Sequence, residues 1–443
     1  MTRWLYSCLM WLAQPFYRAK LKRRGLAEPG YLLAPQERFG DYGGLPAPAA
    51  GFVWIHAVSL GEARTAAILI QRLRERSPGM RLLLTHGTAT GRAEGARGLR
   101  AGDVQVWAPW DTPQAVRRFL GHFKPAVGVL IETEVWPNMA AACEQMQIPL
   151  ALANARLSGK SLRQARQLAW LARPAYRSLA AVWAQTEADA RRLAALGAKV
   201  RGVFGNLKFD AQPDAVLLAR GRAWRATLAR PVVVFASSRE GEEAAFLDIL
   251  EGKAPISLVE HVLLDIKTIA NKIQWLIVPR HPQRFDEVAA LIERRGFRLS
   301  RRSAWGDAAP PQDTATQPPQ IWLGDSLGEM ALYYGLANCA LLGGSFEPLG
   351  GQNLIEAAAC RCPVLMGPHT FNFTEAAELA QVAGAAIRVG GLVEAVSAAA
   401  DLAGDPAKLA AARRAAGAFA SAHHGAADRL ADAITQMLGP VNS

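Results

Sequence analysis

From Phe52 onward the chain alternates short apolar runs with longer amphipathic stretches, and it does so in two successive series. The first series predicts strands at Val53–His56, Arg81–Thr85, Val104–Trp107, Val127–Ile131, Leu150–Ala153 and Val182–Ala184, with a further one at Val200–Phe204. Between several of them lie helical patterns such as Arg64–Arg76 and Leu162–Leu179. A period that switches between 2 and 3.6 in this way reads as βα units and hence as a parallel, doubly wound sheet. The second series opens after Pro231 with Val232–Phe235. It continues with Trp275–Val278, Ile321–Leu323, Cys339–Leu342, Val364–Met366 and Ala386–Val389. The expected architecture is therefore two Rossmann-like α/β halves joined near residues 210–230, which suits a chain of 443 residues. Ala304–Gln320, rich in Pro, Ala, Asp and Gln, reads as a surface loop. Gly252–Gln274 has little periodicity and reads as a helix with an irregular insertion. The stretch Pro406–Leu438 reads as helical.

Charge narrows the partners. Lys and Arg number 50 against 38 acids, a formal net charge of +12. Such an excess implies an anionic partner: nucleic acid, an acidic membrane surface or a phosphorylated substrate. The basic residues are scattered rather than gathered in one arm, which disfavours nucleic acid. The five cysteines (Cys8, Cys143, Cys339, Cys360 and Cys362) are odd in number and irregular in spacing. They suggest neither a disulfide framework nor a zinc site, and fit a reducing cytoplasm.

The N-terminus carries Trp4, Leu5, Tyr6, Leu9, Trp11, Leu12 and Tyr17, followed by Lys20, Lys22, Arg23 and Arg24. The apolar run is shorter than the ~20 residues of a spanning helix and contains Pro15. No small-residue cleavage site follows it, which disfavours a signal peptide. Aromatic rings beside a basic cluster fit the membrane–water interface; a helix docked on its own domain is the plainer reading.

In open α/β sheets ligands bind beyond the carboxyl ends of the strands, so the residues that follow each strand are the candidates. After Val53–His56 comes Ser59-Leu-Gly-Glu62. Glu62 opens the next helix, where a carboxylate either complements the positive helix end or serves as a general base. After Val127–Ile131 comes Glu132-Thr-Glu134, closed by Trp136-Pro-Asn138. In an extended segment two such acids point to opposite faces, so one is expected to face the ligand and the other to anchor the turn. Lys208, two residues from Asp210, is either half of a surface pair or a cation for a phosphate or carboxylate. In the second half, Ala236–Glu243, Pro279-Arg280, Gly324–Met330 and Gly343–Glu356 are strand ends with small residues, helix starts or an arginine, all congenial to anions. Asn353 and Glu356, three residues apart, are placed to share one helix face toward a nucleotide.

Taken together, these strings resemble one family. Ser59-Leu-Gly-Glu62, Glu132–Asn138, Ala153-Asn-Ala-Arg-Leu-Ser158, Leu207-Lys-Phe-Asp210, Val278-Pro-Arg-His-Pro282, Gly350-Gly-Gln-Asn353 and Met366–Phe373 occur in order, over nearly the whole chain, as in the 3-deoxy-D-manno-octulosonic acid (Kdo) transferases of Gram-negative bacteria. The resemblance implies a GT-B glycosyltransferase fold: two Rossmann-like domains with an interdomain cleft. It implies an inverting enzyme that takes Kdo from CMP-Kdo to a lipid A precursor (lipid IVA) in lipopolysaccharide core biosynthesis, with no cofactor and no metal. The absence of an Asp-x-Asp motif near the donor loops agrees with the last point. By the same resemblance Glu62 matches the catalytic base, and Glu132 and Lys208 match positions that stabilise the transition state. Pro279 and Arg280, Leu327, Gly328 and Glu329, and Asn353, Leu354, Ile355 and Glu356 match CMP-binding positions. The expected domains are a membrane-associated segment, 1–27, an acceptor-binding domain, 28–215, and a CMP-Kdo-binding domain, 228–443. Partners are then CMP-Kdo, the lipid A precursor and the cytoplasmic side of the inner membrane, with no nucleic acid. Residues 252–274 depart from the family pattern. Two other readings share some of these features: a GT-B enzyme using a UDP-sugar, and a non-catalytic module that binds phosphorylated lipid.

Overall fold

The computed structural model describes residues 2–44, 50–253, 272–311 and 320–438. The chain divides into two compact units, Met1–Asp210 with His423–Ser443, and Ala211–Ala422.

In the first unit seven parallel strands are laid down as β1 (Val53–His56), β2 (Leu82–His86), β3 (Val104–Trp107), β4 (Val127–Ile131), β5 (Leu150–Ala155), β6 (Ala181–Ala184) and β7 (Val200–Val203). Their order across the sheet is β3-β2-β1-β4-β5-β6-β7. Winding runs outward from β1 to β3 and then reverses, so β1 and β4 lie side by side at the reversal. β1, β2 and β4 are buried along their whole length. That is why they appear as unbroken apolar runs rather than as an alternating pattern. One face of the sheet packs Trp54, Phe119, Phe123 and Leu152; the other packs Ile55, Leu69, Leu73, Leu84 and Ile131.

The last helix, Ala426–Leu438, completes that second face with Ala427, Leu430, Ala431 and Ile434. Each fully buried Leu or Ile of this kind contributes roughly 1.5–3 kcal/mol. A second domain running from 228 to the C-terminus is thus corrected at its end, because the amphipathic stripe of 426–438 finds its apolar partner in the first unit. The carboxylate of Asp210 fixes the junction, accepting the N–H groups of Gly425 (2.5 Å) and Ala427 (2.6 Å) at the start of that helix. The helical stretch expected over Pro406–Leu438 is accordingly two helices, separated at Gly425, whose φ of +96° ends the run. The single helix expected over Leu162–Leu179 is likewise two, Gly159–Gln167 and Ala169–Arg177. Nothing in the sequence marks Leu168 as a break.

At the N-terminus helices Thr2–Leu12 and Gln14–Ala27 precede the sheet. The first is docked on its own unit: Tyr6 Oη donates to Asp111 (2.9 Å), Ser7 Oγ to Asn138 Oδ1 (2.9 Å), and Trp110 Nε1 to the Met10 carbonyl (3.0 Å). Trp4, Leu5, Leu9, Trp11, Leu12 and Phe16 nonetheless remain exposed, Trp4 at 72% and Phe16 at 79%. Among the described residues no helix is long and apolar enough to cross a membrane.

The second unit is also built on seven strands, β8 (Val232–Ser238), β9 (Gln274–Pro279), β10 (Arg298–Arg301), β11 (Gln320–Leu323), β12 (Cys339–Leu342), β13 (Val364–Met366) and β14 (Ala386–Arg388). The order is β10-β11-β9-β8-β12-β13-β14, again all parallel; it differs from the first sheet in that β11 inserts between β9 and β10, and the reversal lies at β8 and β12. β10 is an edge strand that the sequence pattern did not reveal, because its residues are half-buried and polar rather than an apolar run. Gly343, just after β12, permits the close approach at the reversal: a Cβ there would lie 2.2 Å from the Ser237 carbonyl oxygen. The helix with an insertion expected within Gly252–Gln274 falls on 254–271, outside the described residues, as do 312–319 of the expected loop at Ala304–Gln320.

Candidate active site

In the first unit the residues singled out by sequence collect at the carboxyl ends of β1 and β4, on either side of the winding reversal. Glu62 sits in the first turn of the helix Leu60–Arg76, whose N-cap is Ser59. Its carboxylate accepts the Val58 N–H at 2.8 Å and the Ser59 hydroxyl at 3.1 Å, while Ser59 Oγ accepts the Glu62 N–H at 3.3 Å. This is close to a reciprocal capping box, and it locks the Glu62 rotamer. Partial burial lifts the Glu62 pKa to about 7; the Val58 N–H opposes the rise, and the nearby Glu132 and Glu134 carboxylates add to it. The helix-capping and general-base readings of Glu62 are therefore compatible, since the cap orients a carboxylate that titrates near neutrality.

Glu132 follows β4 directly and is buried, with its φ at +65°. Lys208 Nζ lies 3.3 Å from one of its oxygens and Arg156 Nε 3.6 Å from the other. The expectation that Glu132 and Glu134 point to opposite faces of an extended segment does not hold. The chain turns at once, with Thr133 N–H donating to the Ile131 carbonyl and Val135 N–H to the Thr133 carbonyl. Both carboxylates consequently act on Glu62. Glu134 accepts from Trp136 Nε1 at 3.0 Å, and burial raises its own pKa, with Glu132 adding to the rise. Lys208 belongs to the Leu207–Asp210 turn and faces Glu132; Asp210 faces the other way, capping the last helix. Asn154 and Arg156, part of a string noted for its resemblance, were not singled out. Only the parallel register that sets β5 beside β4 reveals their place next to Glu132.

In the second unit Pro279 ends β9 and Arg280 follows it, exposed, with its N–H on the Ser238 carbonyl (3.0 Å) and Nε on Gln352 Oε1 (3.1 Å). Leu327 and Gly328 precede the helix Met330–Leu336; Leu327 is 73% exposed and Gly328 has φ +80°. Glu329 accepts from Arg302 (2.8 Å) and from the Ser326 hydroxyl, so its carboxylate is held in place. Asn353 caps the helix Leu354–Ala359, accepting the Ile355 N–H at 3.1 Å, and Glu356 lies in the first turn of that helix. Leu354 and Ile355 are buried to 1% exposure, which leaves backbone rather than side chain as what they can offer a ligand. The anion-friendly reading of Ala236–Glu243 changes as well. The fully buried Glu242 carboxylate accepts the N–H groups of Arg239 (2.9 Å), Gly344 (2.8 Å) and Phe346 (3.3 Å), so it fills the nest of donors and ties the loops after β8 and β12 together.

Residues 34–211 match the family model described as 3-deoxy-D-manno-octulosonic-acid transferase (kdotransferase). The 3-deoxy-D-manno-octulosonic acid transferase of Bordetella pertussis is 46% identical over 415 residues, 92% of each chain. That of Haemophilus influenzae is 31% identical over 379 residues, 85% of this chain and 84% of the relative. Among solved structures, a putative UDP-N-acetylglucosamine 2-epimerase from Listeria monocytogenes superposes with a TM-score of 0.55 at 14% identity, covering 89% of this chain and 98% of that one. The UDP-GlcNAc 2-epimerase of Neisseria meningitidis gives 0.54 at 15%, covering 87% and 99%. At such identities the likeness is one of fold, the GT-B class of paired Rossmann-like units. Identity that extends over almost the full length of the Bordetella relative goes beyond fold: the chain belongs to the 3-deoxy-D-manno-octulosonic acid transferase family.

Proposed function

We propose that this glycosyltransferase moves Kdo from CMP-Kdo to lipid IVA in lipopolysaccharide biosynthesis, with inversion at the anomeric carbon. The observation that carries the mechanism is Glu62, locked by the Ser59 cap at the end of β1 with a pKa lifted to about 7. A sugar hydroxyl is too weak an acid to ionise at neutral pH, and a carboxylate poised near neutrality accepts its proton as the new bond forms. The hydroxyl oxygen attacks the anomeric carbon, the bond to the CMP phosphate breaks, and the electron pair leaves with that phosphate. The proton rests on Glu62. Glu132 and Lys208 form the charged pair beside it, with the Lys208 ammonium offsetting the negative field of the three carboxylates.

CMP is assigned to the second unit. The Arg280 guanidinium holds the phosphate as charge builds on it, and the backbone of Leu327, Gly328, Leu354 and Ile355 lines the nucleotide subsite with Pro279. Glu329, steadied by Arg302, and Asn353 and Glu356 offer polar groups to the nucleoside. The N-terminal helices rest on the cytoplasmic face of the inner membrane, with Trp4, Leu5, Leu9, Trp11, Leu12 and Phe16 in the interface and Lys20, Lys22, Arg23 and Arg24 against anionic headgroups. A lipid acceptor makes that placement favourable, because extracting its chains into water costs about 0.8 kcal/mol per CH₂.

The test is mass spectrometry of the product formed from CMP-Kdo and a defined lipid A precursor, with UDP-sugars offered in parallel. Addition of Kdo with release of CMP is expected. Turnover of a UDP-sugar in place of CMP-Kdo, or binding of the lipid with no CMP released, overturns the reading.

A further inference from the structure

β4 ends at Ile131, while its neighbour β5 runs on to Ala155. Ile131 lies opposite Ala153 in the parallel register, and the residue that follows each, Glu132 and Asn154, takes the left-handed conformation, with φ of +65° and +52°. For a non-glycine residue such backbone is uncommon and costs about 1 kcal/mol or more, asparagine being the type that tolerates it best. What keeps Glu132 there is the end of β5. The Glu132 N–H donates to the Ala153 carbonyl at 3.0 Å, and its carbonyl accepts the Arg156 N–H at 3.2 Å. Asn154, between them, is 1% exposed. Its carbonyl accepts from Gln185 Nε2 at 2.9 Å, and its side-chain Oδ1 accepts the Leu207 N–H at 3.0 Å. Leu207 opens the turn Leu207–Asp210, and the following residue, Lys208, reaches back to within 3.3 Å of the Glu132 carboxylate. The path from Glu132 through the end of β5 to Asn154, Leu207 and Lys208 therefore closes on itself.

We propose that Asn154 is a positioning residue for the transfer reaction: its side-chain oxygen, through the Leu207 N–H, fixes the turn that holds Lys208 against Glu132. A left-handed backbone explains why asparagine occupies the corner. Burying a carboxamide whose Nδ2 has no hydrogen-bond partner among the described residues shows that it is not there as a favourable core filler. A small apolar residue would fill the space at lower desolvation cost but could not hold the turn. The inference rests on the reading of Glu132 and Lys208 as working groups.

Asn154→Gly is the variant of choice, since glycine accepts φ of +52° without strain and only the carboxamide is removed. The first measurement is independent of activity. Hydrogen exchange of the 206–210 segment should rise in the variant relative to the full-length parent; unchanged protection there overturns the proposal whether or not Kdo is transferred. The second is a double-mutant cycle with Lys208→Met. Alone, Asn154→Gly should lower kcat by about tenfold to a hundredfold, the scale of an ångström-sized misplacement of a catalytic group. KM for CMP-Kdo should stay within about twofold, because that ligand is assigned to the other unit. In the Lys208→Met background the same change should cost less than about threefold. A loss of the same factor in both backgrounds marks a general structural role and refutes positioning through Lys208. Should Asn154→Gly fail to fold, Asn154→Ser enters the same cycle under the same criteria. A parent chain that does not turn over CMP-Kdo fails the functional reading, and hydrogen exchange then decides on the role of Asn154 by itself.

Discussion

The pH dependence of transfer tests the role of Glu62 most directly. An ordinary glutamate with its pKa near 4.5 is almost wholly ionised at pH 6. Glu62 is raised to about 7, chiefly by burial and further by Glu132 and Glu134, with the Val58 N–H and the Ser59 hydroxyl opposing. As a general base it works only as the carboxylate, so kcat should fall on the acid side with a midpoint near 7. At pH 6, one unit below that midpoint, only about a tenth of the enzyme holds the base form, and the rate should be about tenfold below its plateau. Glu134→Gln removes one of the like charges and should move the midpoint downward, by less than the whole shift because burial is the largest cause. Glu62→Gln removes the base, and transfer should drop by about 10²–10⁴ with CMP affinity by calorimetry unchanged. The sign for stability is opposite. A carboxyl whose folded pKa exceeds its unfolded one favours folding while it is protonated, and that contribution is lost as pH rises from about 4.5 through 7. Glu62→Gln should therefore unfold at a higher temperature than the parent at pH 8. Initial rates of CMP release from pH 5 to 9, with saturating acceptor, provide the profile. A rate that stays flat down to pH 5, or near-normal turnover by Glu62→Gln, refutes the assignment.

Arg280→Ala should weaken CMP binding about tenfold or more while leaving acceptor binding intact; an unchanged affinity by calorimetry would remove Arg280 from the phosphate subsite. Asp210→Ala strips the cap from the helix Ala426–Leu438 and leaves the Gly425 and Ala427 N–H groups without their acceptor. It should lower stability by about 2 kcal/mol, read as a shift in the urea midpoint, and no shift would mean that the last helix docks without it. Replacing Trp4, Leu9 and Trp11 together by Ser should weaken flotation with anionic vesicles, since these side chains are exposed on a helix already docked by its other side. Equal flotation would assign membrane contact to the basic surface of the domains instead.

The two series of strands were legible before folding, because β1, β4, β8 and β12 are buried on both faces and can only be written as apolar runs. The sequence also placed Glu62, Glu132, Lys208 and Arg280 in the segments that follow strands, since a charged residue breaks such an apolar run. It missed β10, whose half-buried Arg298–Arg301 carries no run, and it carried the second domain to the C-terminus, because helix periodicity tells that a stripe is apolar but not what covers it. Three contacts come into being only in the folded chain. Asp210 turns from Lys208 to the last helix; Glu242 fills a nest that looked free for a ligand; and Asn154 and Arg156 come to stand beside Glu132. The first depends on where the last helix docks, the other two on which strand lies next to which and at what register. Residues 22 positions apart in the chain, such as Glu132 and Asn154, become neighbours only when two parallel strands are paired by the hydrogen bonds of the whole sheet.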